Sequence, residues 1–67
     1  MTIKNFTDKN GKAEYSIINP ENSKMFYCVR AGEYCGIEFA FSRNYTMEAA
    51  IEAVKYNAWK NGIEIDF

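Results

Sequence analysis

Apolar and polar positions along the chain form one stretch of helical period set among stretches of alternation. From Thr46 to Gly62, at about 100° per residue, Met47, Ala50, Ile51, Val54 and Ala58 fall in a single stripe. Thr46 offers an N-cap oxygen, and Glu48 puts negative charge in the first turn, where the helix dipole favours it. Gly62 supplies the stop. The spacing predicts a capped helix over 46–62 whose stripe packs on a sheet. Ala49, Ala53, Tyr56 and Lys60 fall on the opposite side, with Trp59 at the flank of the stripe as a core margin.

The remaining segments read as strands. Met1 to Thr7 is followed by Asn10-Gly11, a pair that suits a two-residue hairpin loop. Closing there sets Phe6 opposite Tyr15, Lys4 opposite Ile17 and Asp8 opposite Ala13, with Phe6, Tyr15 and Ile17 on one buried face. Pro20 breaks the chain, because it lacks the N–H that a ladder needs. Lys24 to Arg30 is the third strand and Tyr34 to Ser42 the fourth, joined by a turn at Ala31-Gly32-Glu33. A three-residue loop there aligns Met25, Tyr27 and Val29 with Cys35, Ile37, Phe39 and Phe41 as the face under the helix. Ile63 to Phe67 alternates and reads as a fifth strand.

This order predicts a single α+β domain over 1–67, a small antiparallel β-meander of four strands packed against one α-helix, with a short C-terminal fifth strand (β-β-β-β-α-β). One helix crossing back over a meander returns the last strand beside the first, antiparallel to it.

Composition narrows the chemistry. A chain of 67 residues holds one domain with a marginal core, and five Phe, five Tyr and one Trp make that core large for its size. Self-association, as a homodimer or higher oligomer, would add to it. The net charge of −1, with both signs scattered, argues against nonspecific phosphate binding. No apolar run is long enough for a membrane span and Met1 to Phe6 lacks a signal-peptide core, so a cytoplasmic protein is expected. The glycosylation triplets at Asn5 and Asn44 are then coincidental.

There is no histidine, no Ser/His or Cys/His pair and no glycine-rich phosphate loop, which makes catalysis the least expected class. Glu48 with Glu52, and Glu64 with Asp66, read as solvated pairs, because a domain this small cannot enclose them to separate their pKa values. Cys28 and Cys35 lack the partners for a zinc shell, and the favoured register puts their thiols on opposite faces. No metal and no cofactor is expected.

The same register leaves Lys24, Phe26, Cys28, Arg30, Tyr34 and Glu38 on the sheet's other face. Aromatic and Arg side chains on such a face suit protein contact. The expected partner-binding residues are Phe26, Arg30, Tyr34 and Glu38, with Tyr56 on the outer helix face. The function expected is a small non-enzymatic protein-interaction module that docks on a larger partner. Size and AT-biased composition suggest a phage or mobile-element accessory protein that inhibits or modulates a host protein or defence complex. The alternative is a dimeric nucleic-acid-binding regulator that uses Lys4, Lys12, Lys24 and Arg30.

Overall fold

A computed structural model describes residues 2–21, 23–31 and 36–66, with the backbone alone for Thr2 and Ile3. Its elements are β1 (Thr2–Asp8), β2 (Ala13–Ile18), β3 (Phe26–Arg30), a 3-10 turn (Ile37–Phe39), β4 (Ser42–Asn44), α1 (Met47–Lys60) and β5 (Ile65–Asp66). The five strands form one antiparallel sheet in the order β4-β3-β2-β1-β5. Between the two edges runs α1, so β5 lands beside β1 and antiparallel to it, as the crossover predicts. The fold is the expected small α+β architecture.

The first hairpin departs from the expected turn and keeps most of the expected pairing. Its loop is Lys9-Asn10-Gly11, closed by the Asp8 N–H donating to the Lys12 carbonyl at 2.9 Å. The Gly11 N–H donates to the Asp8 carbonyl at 3.0 Å, and the Asp8 carboxylate accepts from the Asn10 and Lys12 amides, each at 2.9 Å. Gly11 takes φ 83°, the left-handed position of a three-residue loop. Ala13 therefore pairs with Thr7 rather than Asp8. A bulge at Glu14 then restores Phe6 to Tyr15 and Lys4 to Ile17. A second bulge, at Ile3 on β1, brings Thr2 opposite Ile18.

The helix starts and stops where its caps place it. Thr46 Oγ1 accepts from the Ala49 amide at 3.1 Å, and Glu48 lies in the first turn. At the other end the Gly62 N–H donates to the Trp59 carbonyl at 3.2 Å, and the Ile63 N–H to the Ala58 carbonyl at 2.8 Å. With Gly62 at φ 69° this is a Schellman stop, and Ile63 packs back on the core beside Ala58.

Ala50, Val54 and Ala58 are buried against Phe6, Tyr15, Ile17 and Cys28, while Met47, Ile51 and Ile65 pack around them. Alanine at two of the three buried helix positions lets α1 approach closely, and the Cys28 thiol donates to the Ala50 carbonyl at 3.3 Å. Trp59 is no core margin: it is 77% exposed. Ala53, expected outside, is half-buried against the core.

Two expectations are reversed. Cys28 and Phe26 face the helix, so Met25, Tyr27 and Val29 point to the reverse face. The sheet partner decides this: Ile17, already committed to the core, lies opposite Cys28, and Ser16 lies opposite Val29. The reverse face is partly closed, with Val29 and Ser16 both buried and the Ser16 hydroxyl 2.6 Å from Asn5 Oδ1. The fourth strand is also shorter than expected. Ile37–Phe39 forms the 3-10 turn, and β4 pairs Phe26 to Cys28 with Asn44 to Ser42. At Gly36 a Cβ would sit 2.7 Å from the Glu38 carboxylate oxygens, so the turn folds that side chain over a position without one.

Candidate interaction surfaces

Arg30 ends β3 directly opposite Tyr15, on the helix side of the sheet. Its guanidinium lies 5.1 Å from the centroid of the Tyr15 ring and 3.3 Å from Glu14 Oε2. Phe41 meets the same ring edge-on, with centroids 5.8 Å apart at 76°. Tyr15 is itself fully buried, and its hydroxyl donates to Asn57 Oδ1 at 2.6 Å. Burial raises its phenol pKa, partly offset by the Arg30 charge and reinforced by Glu14. The result is a fixed platform, in which a core tyrosine holds a cation above it and a phenylalanine beside it at the rim.

From this rim the chain continues outward. Ile37 and Phe39 project from the 3-10 turn, which lies against β3, and Phe39 is 53% exposed. Glu38 is exposed between them, and Tyr45 is 76% exposed beyond β4.

The outer face of α1 carries a second aromatic pair. Tyr56 is 61% exposed, and its ring lies 6.0 Å from that of Trp59 at 39°. Glu52 and Lys55 form an exposed ion pair on this side at 3.5 Å.

Among the expected contact residues, the structure brings Arg30 and Glu38 toward one region and leaves Tyr56 on α1. Phe26 is half-buried and packs on the core, so it supports the fold from beneath. Tyr34 lies outside the described residues, as does Cys35. The sequence pattern hides Phe39 and Phe41, because their alternation reads as a buried strand face, and Tyr45, just before the Thr46 cap, belongs to no apolar pattern at all. It hides Trp59 because an indole beside an apolar stripe reads as core.

A cleft of about 250 Å³ lies between the first hairpin loop and the end of α1, lined by Asp8, Lys9, Asn10, Gly62, Ile63 and Glu64. The exposed Lys9–Glu64 ion pair crosses it at 3.0 Å and raises the Lys9 pKa. Among the described residues no group of three or more Cys, Asp or Glu side chains is placed to hold a metal ion. No helix among them is long and apolar enough to cross a membrane. Cys28 is free and buried. Comparison with protein families, curated proteins and solved structures finds no match for this chain.

Proposed function

We propose that this chain is a non-enzymatic recognition module that docks on a larger protein through the rim formed by Arg30, Phe41 and the 3-10 turn. The carrying observation is an exposed Phe39 on a turn that lies against β3, with Phe41 packed edge-on to the buried Tyr15 ring on which the guanidinium is anchored. Aromatic and Arg side chains held in place before binding are what interface anchors require, because little rotamer freedom remains to be lost. Glu38 adds a carboxylate in the same segment for a basic group on the partner.

Protein suits this rim better than nucleic acid. Several basic side chains are engaged by carboxylates, Arg30 by Glu14 at 3.3 Å, Lys9 by Glu64 at 3.0 Å and Lys55 by Glu52 at 3.5 Å. Without a basic excess there is little counterion release to drive phosphate binding. That the partner is a host protein or defence complex inhibited by a phage or mobile-element accessory protein rests on small size and AT-biased composition.

The test is affinity capture of the partner from expressing cells, followed by titration of Phe39→Ala and Arg30→Ala. Each is expected to weaken binding about tenfold or more, with the circular-dichroism melting curve little changed. Unaltered affinity in both variants removes this rim from consideration.

A further inference from the structure

We infer that the outer face of α1 binds a second copy of this chain, with the two helices packed antiparallel across a two-fold axis. The inference goes beyond the docking rim and rests on different residues. The face carries an aromatic pair in its C-terminal half, where Tyr56 and Trp59 stand 61% and 77% exposed with their rings 6.0 Å apart. It is also divided by charge along its length. Glu48 stands in the first turn and Lys60 in the last, while Glu52 and Lys55 pair with each other between them at 3.5 Å.

That division selects the occupant. In a two-fold interface each contact occurs twice, and an antiparallel pair sets the acidic end of one helix against the basic end of the other. An axis crossing α1 near its midpoint brings Lys60 of one copy beside Glu48 of its mate. It also brings Trp59 over the exposed, small Ala49, which leaves room for the indole. A parallel pair would stack like charges at both ends. The face is thus complementary to itself in charge and in shape.

Its size sets the strength. A helix of 14 residues runs about 21 Å, and a contact limited to one such helix falls at the low end of specific interfaces, below about 1,200 Å² in total. A contact of that size fits a dimer in reversible exchange with monomer.

Sedimentation of the full chain over a concentration series tests this, read together with the emission of its single tryptophan. Wild type is expected to dimerise reversibly, with Trp59 emission moving to shorter wavelength as concentration rises. Trp59→Ala, read by sedimentation, is expected to weaken dimerisation at least tenfold, since each substitution acts twice across the axis. Glu48→Lys and Lys60→Glu should each weaken it as well, and mixing the two variants should restore it, because both junctions are then of opposite sign. Circular dichroism of each variant at low concentration verifies that the monomer is folded. A chain that stays monomeric up to millimolar concentration overturns the inference, as does a dimer indifferent to Trp59→Ala or to the charge exchange. A monomer that loses a different protein on Trp59→Ala overturns it in favour of that partner.

Discussion

The Tyr15 hydroxyl donates to Asn57 Oδ1 at 2.6 Å and ties the floor of the sheet to the last turns of α1. It is a contact across 42 positions of sequence, made by a ring with no solvent exposure. Tyr15→Phe keeps the ring and deletes the bond, while Asn57 Oδ1 still accepts from Asn61 Nδ2 at 3.1 Å. The expected loss is about 1 kcal/mol, read as a fall in melting temperature of about 4–8 °C. An unchanged melting curve would mean that this bond does not couple sheet and helix.

Cys28 gives the fold an alkaline limit. Burial pushes its thiol from 9.0 up to about 11, and Tyr15 is raised in the same sense from 10.0. The unfolded thiol ionises near 9.0 while the folded one still holds its proton. Stability from this group is therefore complete below pH 9 and is lost as pH rises to about 11. The full loss is about 3 kcal/mol. Denaturant titrations across this range should show the decline, and Cys28→Ala should make it shallower whatever its own stability, leaving the part that comes from Tyr15.

Val54 and Trp59 are expected to rank in the reverse of their size. Val54 is fully buried in the stripe, and Val54→Ala should cost about 1–3 kcal/mol. Trp59→Ala removes a far larger group that is 77% exposed, and should change monomer stability by no more than about 0.5 kcal/mol. Urea titration at low protein concentration compares the two. The opposite ranking would put the buried face of α1 elsewhere.

Gly62→Ala isolates the cost of a backbone angle. A Cβ there meets no atom within 4 Å, so the penalty comes from φ 69° and not from crowding. About 1 kcal/mol is expected for alanine and less for Gly62→Asn, since asparagine tolerates this region better. Equal stability of the three chains would show that the stop does not need its left-handed residue.

The helix and the first hairpin could be read in the sequence because local chemistry decides them. A cap, a stripe and a stop glycine fix α1, and the alternation of Phe6, Tyr15 and Ile17 marks the buried face, which the bulge at Glu14 keeps although the loop is one residue longer than Asn10-Gly11 alone. The β3 face could not be read locally, since Phe26 and Cys28 alternate as well with Met25, Tyr27 and Val29 as the reverse. The commitment of Ile17, across the ladder, decides it. Likewise Ile37, Phe39 and Phe41 carry a true strand period, yet the ladder from β3 begins only at Ser42, and the residues before it turn outward. Arg30 could be named as exposed chemistry from the sequence, but its seat on the Tyr15 ring is a tertiary fact.

Ile3 and Glu14 are each surplus to their own strand. Deleting a residue from a regular ladder turns over everything beyond the cut. Here Thr2 with Ile18, Phe6 with Tyr15 and Thr7 with Ala13 are paired around the surplus residues, so removing either one is expected to leave these pairs matched. What goes at Ile3 is the bend that a bulge imposes, and at Glu14 also the carboxylate that holds Arg30 at 3.3 Å and the carbonyl that accepts from the Ala31 N–H at 2.9 Å. The two extra residues thus add bend to the first hairpin over and above the pairing: without them the partners are expected to stay matched while β1 and β2 relax toward a plane.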